Sequence, residues 1–151
     1  MTLDTTISAM RFCAAVALRQ PASVREARSF ARTALETWNL AALTEPVELC
    51  VSELVTNAVA HGAGNVFGLS LTFTDQLIID VFDKGYSGPR VVSASELDEG
   101  GRGMWLVEHC ATEWGCETLH EGWKRTWCLF EVPGPPTNAP SPARHVCRAG
   151  P

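Results

Sequence analysis

Two strand-like runs, VFGLSLTF and LIIDVFD, are separated only by Thr74, Asp75 and Gln76. That spacing makes them a hairpin with a short polar turn. Everything else in the chain has to be arranged around it. Upstream, Met10 to Arg19 read as an opening strand. Pro21, Ala22 and Ser23 then lead into SVREARSFARTALETW, where Val24, Ala27, Ala31, Ala34, Leu35 and Trp38 keep helical spacing. Ser23 with Glu26 three residues on has the spacing of a capping box, and Asn39 and Leu40 close the helix. A second helix is expected from about Pro46 to His61, since proline suits a first helical turn. Its apolar stripe is Val47, Cys50, Val51, Leu54 and Ala58, and Gly62 is a natural stop. Beyond the hairpin, residues Lys84 to Gly101 read as a long loop, rich in glycine, serine and charge, of the kind that forms a lid or a disordered stretch. A helix from Arg102 to about Ala111 follows, then strands near Glu113 to Leu119 and Thr126 to Val132. The order implies an α+β fold: a two-layer sandwich with helices on one face of a mixed, mostly antiparallel sheet.

The 151 residues suit one domain, with 46% apolar and 19% charged residues in the globular range. Residues 1–133 read as that domain. The remainder, 134–151, is proline-rich and without periodicity, and reads as a flexible tail. A net charge of −5 without a block of Lys or Arg disfavours direct nucleic-acid binding, which needs a basic footprint. The six cysteines show no CxxC or close Cys/His spacing, so they read as reduced, mostly buried apolar residues and not as zinc ligands. The five tryptophans are spread widely and read as packing. No run reaches the ~18 to 20 apolar residues of a membrane span, and Met10 to Leu18 lacks the flanks of a signal peptide. The expected location is the cytoplasm.

Three segments carry chemistry. In the second helix, Glu53 and Asn57 stand four apart on the margin of the apolar stripe, with Ser52 and Thr56 on the outer face. A carboxylate and a carboxamide one turn apart offer oxygen ligands to a hydrated Mg²⁺. At the end of LIIDVF, Asp83 precedes Lys84 and Gly85; a strand-end aspartate accepts a hydrogen bond from an exocyclic amine, and the glycine lets a flat ring approach. Gly100, Gly101, Arg102 and Gly103 run straight into the helix MWLVEHC, where free backbone N–H groups and the helix dipole favour a phosphate and Arg102 adds a charge-assisted contact. Each segment also has a plain structural reading: a boundary pair with its polar ends in water, an Asp-x-Gly turn, a glycine-rich loop.

Taken in this order, SELVTNAVAHG resembles the N box of the GHKL, or Bergerat-fold, ATPases, VFDKG their first glycine box and GGRGMWLV their second. The opening PASVREARSFARTAL, ahead of a tryptophan, is similar to the first helix of the stand-alone bacterial anti-sigma-factor serine kinases. The resemblance covers roughly residues 10 to 132. It implies an ATP- and Mg²⁺-dependent anti-sigma factor that phosphorylates a serine of an antagonist protein, with a sigma factor as second partner and a homodimer left open. By resemblance Asp83 binds the adenine amine beside Gly85, Asn57 ligates Mg²⁺, and Glu53 is the general base. Gly101, Arg102 and Gly103 hold the phosphates beneath a lid of residues 85–100, and Thr126 falls where the family places a threonine near the adenine. The chain departs from the pattern at Ser87, which takes the place of the second glycine of the first box, and at Trp123 and Arg125, where smaller residues are usual before the threonine. An ATP-gated binding module without phosphotransfer uses the same residues. The ATP-binding half of a histidine kinase is a third reading, weakened because no helix with a phospho-accepting histidine precedes the domain.

Overall fold

The structure is a computed structural model that describes residues 9–85 and 102–133. Strand β1 (Arg11–Leu18) is followed by helix α1 (Ala22–Thr37), a short 3-10 turn at Ala41–Leu43, and helix α2 (Thr44–His61). Strands β2 (Ala63–Phe73) and β3 (Gln76–Lys84) form the expected hairpin. Helix α3 (Arg102–Cys110), strand β4 (Glu113–Thr118), a 3-10 turn at His120–Gly122 and strand β5 (Trp123–Glu131) complete the chain. The sheet order is β1-β2-β3-β5-β4, and every pairing among the described residues is antiparallel. This is the α+β sandwich read from the sequence.

Alternation sorts each strand into two faces. Phe67, Leu69 and Leu71 of β2, Leu77, Ile79 and Val81 of β3, and Cys128 and Phe130 of β5 are buried in the core. They meet Val47, Cys50, Val51, Leu54, Val55 and Ala58 of α2 and Ala27, Ala31, Ala34 and Leu35 of α1. Burying each large apolar side chain stabilises the fold by about 1.5–3 kcal/mol. The predicted α2 stripe lies wholly within this core. On the other face of β1, Phe12, Val16 and Leu18 stand exposed.

Helix α1 closes as expected. Asn39 takes a positive φ of 59°, its N–H donates to the Glu36 carbonyl, and the Leu40 N–H donates to the Leu35 carbonyl at 2.7 Å. These paired bonds are a Schellman closure, with the buried side chains of Leu35 and Leu40 as its apolar contact. Its start differs from the sequence reading. The helix begins at Ala22, and Ser23 lies inside it, where its hydroxyl donates to the Leu18 carbonyl at 2.7 Å instead of capping. That bond ties the end of β1 to the helix, and it outcompetes a capping box. Strand β5 begins at Trp123, three residues earlier than expected. Glu121 and Gly122, with φ of 60° and 76°, fold the chain back tightly enough for Leu119 to donate to the Trp123 carbonyl and for pairing to start at once. The predicted lid, Ser87 and the tail at 134–151 lie outside the described residues, as does Cys147. The remaining five cysteines are free, and Cys50 and Cys128 are buried, as their apolar reading requires. Among the described residues no helix is long and apolar enough to cross a membrane.

Candidate functional site

Asp83 continues the inward phase of β3 set by Leu77, Ile79 and Val81, but it places a carboxylate where the others place hydrocarbon. It is only 4% exposed. Above it ends α2: a Cβ added at Gly62 would stand 3.3 Å from Asp83 Oδ2 and would collide with the Ala58 carbonyl. Glycine is therefore required there by close approach, since its φ of −67° is open to any residue. Across the sheet, Lys124 of β5 is in register with Asp83, and its Nζ lies 3.5 Å from Oδ1. That separation is an ion-pair contact, longer than a charge-assisted hydrogen bond. Oδ1 is fully buried and has no hydrogen-bond partner among the described residues. Burial pushes the Asp83 carboxyl above the usual range, while Lys124 and then Arg19 pull it down. A buried acceptor left unmade costs on the order of 1–3 kcal/mol, so an N–H donor entering here is favoured. Gly85 lies beside the pair: its N–H donates to the Gly122 carbonyl at 3.0 Å, and a Cβ on it would stand 3.3 Å from Lys124 Nζ.

Arg19 braces the same corner. Its guanidinium donates to the Val59 carbonyl at 3.2 Å and to the Gly64 carbonyl at 2.7 Å. It thereby binds the C-terminal end of α2 to the start of β2 and complements the negative end of the helix dipole.

One turn apart on α2, Glu53 and Asn57 are both half-buried, at the edge of the core where the helical spacing puts them. The Glu53 carboxylate lies against Gly103, in the first turn of α3, so closely that a Cβ at Gly103 would overlap Oε2. Burial raises the Glu53 carboxyl above its ordinary value. The first turn of a helix carries unpaired N–H groups and the positive end of the dipole. This corner therefore sets a carboxylate against a helix N-terminus. Among the described residues no group of three or more His, Cys, Asp or Glu is arranged to hold a metal. Mg²⁺ does not need one, because it keeps several waters and takes one or two protein oxygens plus phosphate. Glu53 and Asn57 fit that demand.

The structure thus brings Glu53 to Gly103, and Asp83 to Gly85 and the end of α2. Thr126 is buried on the inner face of β5, opposite Val81, and its hydroxyl donates to Cys116 Sγ at 3.6 Å. Arg102 is the first residue of α3, and Gly101 lies outside the described residues. His61 ends α2 and is exposed. Sequence reasoning missed Lys124 and Arg19. The signal for Lys124 was present: in WKRTWCLFE it shares the period-two phase of Cys128 and Phe130, a lysine on a buried face.

Compared with known protein families, residues 18–124 match the histidine kinase-like ATPase domain. The matched span is well over half of the chain and contains α1, α2, Asp83 and the start of α3. Comparison with curated proteins gives no match.

Proposed function

The chain belongs to the histidine kinase-like ATPase family, and from that premise we propose that it is an ATP-binding anti-sigma regulatory factor with serine kinase activity. Its substrate is a serine of an antagonist protein, its second partner is a sigma factor, and it controls transcription by partner switching. In this reading Asp83 Oδ1 accepts the adenine amine, Gly85 lets the ring approach, and Thr126 lies toward the base. Gly101, Gly103 and Arg102 hold the phosphates at the start of α3, and Asn57 supplies an oxygen to Mg²⁺. Mg²⁺ held there would neutralise phosphate charge. Glu53 is the catalytic base: the serine Oγ attacks the γ-phosphorus, the bond to the β,γ-bridging oxygen breaks, ADP leaves with the electron pair, and the serine proton passes to Glu53.

The observation that carries the reading is the Glu53 carboxylate at the first turn of α3. Phosphoryl transfer needs positioning and charge neutralisation more than covalent chemistry, and a helix N-terminus supplies both. A carboxyl raised by burial is also a better base at neutral pH than an exposed one. The test is γ-phosphate transfer to a candidate antagonist, run beside nucleotide binding. Glu53→Gln keeps ATP affinity and loses ~10²–10⁴-fold in transfer rate, whereas Asn57→Ala weakens Mg·ATP binding itself. If the wild type transfers nothing to any partner it binds, the kinase reading fails and the ATP-gated binding switch replaces it. Wild-type transfer by Glu53→Gln moves the base elsewhere.

A further inference from the structure

Lysine is almost never fully buried without a partner, yet Lys124 is 8% exposed and sits on the helix-facing side of β5. Its register partner is Asp83. As a stabilising device the pair is poorly built. Among the described residues the 3.5 Å contact leaves Asp83 Oδ1 without a hydrogen bond, and a buried ion pair repays its desolvation only when geometry is good and the remaining lone pairs are satisfied. The same geometry suits another purpose. It puts a positive charge beside the carboxylate while leaving the acceptor position of Oδ1 for an incoming donor. We infer that Lys124 is a positioning residue for nucleotide binding: its charge, held 3.5 Å from Oδ1 on the facing strand, aims the Asp83 carboxylate at the base.

The surroundings of Asp83 leave Lys124 as its main electrostatic support. From the end of β1, Arg19 acts on Asp83 but spends its donors on the Val59 and Gly64 carbonyls. Just past the end of α2, a Cβ at Gly62 would stand 3.3 Å from Asp83 Oδ2, and His61 before it is exposed. Lys84, next along β3, has the opposite strand phase and lies over the Trp123 ring at 5.4 Å. Burial is the largest influence on Asp83 and raises its pKa, Lys124 is the largest opposing one, and Arg19 is weaker. Without the lysine, burial acts against Arg19 alone among the described residues. Asp83 would then hold its proton to higher pH than in wild type and lose the charge that makes it a strong acceptor.

The inference rests on the reading that Asp83 takes the base amine, and the test separates the two. Full-length wild type, Lys124→Met, Lys124→Gln and Lys124→Arg are compared in two measurements. One is ATP affinity by calorimetry from mildly acidic to mildly alkaline pH. The other is the titration of the Asp83 side-chain carboxyl carbon by NMR without nucleotide. The expected result for Met is an affinity about tenfold or more below wild type at neutral pH, recovering as pH rises, with the carboxyl titrating at higher pH. Gln, which keeps a donor but not the charge, shows the same pH dependence should Met fold poorly, and Arg restores the wild-type profile. If wild type binds ATP and the Asp83 titration ignores residue 124, the role of Lys124 falls and the site assignment stands. If the titration follows residue 124 but wild type binds no ATP, the site assignment falls and takes the positioning role with it.

Discussion

Asp80 and Asp83 stand three residues apart on β3, on opposite faces of the sheet, 7% and 4% exposed. Burial pushes both carboxyls above the usual range. Their partners differ. Arg125 Nε donates to Asp80 Oδ1 at 2.5 Å, the Ser70 hydroxyl donates to Oδ2 at 3.4 Å, and the same guanidinium reaches Glu117 at 3.0 Å while lying over the Trp127 ring. Asp83 has a lysine at 3.5 Å and an oxygen with no hydrogen-bond partner among the described residues. The outer network is closed on itself; the inner pair keeps a place open. Burial and a perturbed pKa alone do not mark a binding site, because Asp80 has both. The incomplete hydrogen bonding of Asp83, beneath the end of α2, is what distinguishes it.

The comparison breaks most visibly at Asp80. Asp80→Ala leaves Arg125 and Ser70 without their acceptor, and a charged hydrogen bond in a largely buried place is worth about 1.5–3 kcal/mol. The arginine side chain is 26% exposed and still reaches Glu117, so the lower half of that range is expected. At roughly 2–4 °C per kcal/mol for a chain of this size, the thermal midpoint falls by about 3–9 °C, while ATP affinity stays at the wild-type value. A variant that keeps its stability and loses ATP would reverse the assignment of the two faces.

A smaller effect sharpens the contrast through pH. The raised Asp83 pKa means that the folded protein holds this proton more tightly than the unfolded chain does. The stability this contributes is fully present below the unfolded carboxylate value and is lost as pH rises through the folded one. Asp83→Asn removes that dependence. Relative to wild type, the variant therefore gains stability as pH climbs from the ordinary carboxylate range toward neutrality, by at most about 1.4 kcal/mol per pH unit. Denaturant unfolding of the two proteins at several pH values measures it. Parallel curves would mean that Asp83 titrates alike in both states.

Much of the helical layer was legible because its signals are local. The spacing of Val24, Ala27, Ala31, Ala34 and Leu35, the closing Asn39 and the α2 stripe each need only one segment, and the Thr74–Gln76 turn fixed the hairpin directly. Glu53 and Asn57 were placed on the core margin by the 100° helical step, and there they are. What escaped depends on contacts between segments. The sequence offers Ser23 as a cap that accepts a first-turn N–H, and only the fold shows its hydroxyl donating to the Leu18 carbonyl instead. Lys124 was hidden by a strand boundary set three residues late, because GWKR next to a polar turn does not read as strand. With the boundary at Trp123, its alternation puts Lys124 inward and Arg125 outward, and register alone pairs one with Asp83 and links the other to Asp80 on the opposite face.

The most direct measurement is an ATP titration, with Mg²⁺, of wild type, Asp83→Asn and Asp80→Asn side by side. Asparagine turns one acceptor oxygen of Asp83 into a donor facing the adenine amine. The account predicts that this variant loses about tenfold or more in affinity, the equivalent of a charged hydrogen bond, while Asp80→Asn binds ATP as wild type does. Unchanged ATP affinity in a folded Asp83→Asn protein would contradict the assignment of the nucleotide site.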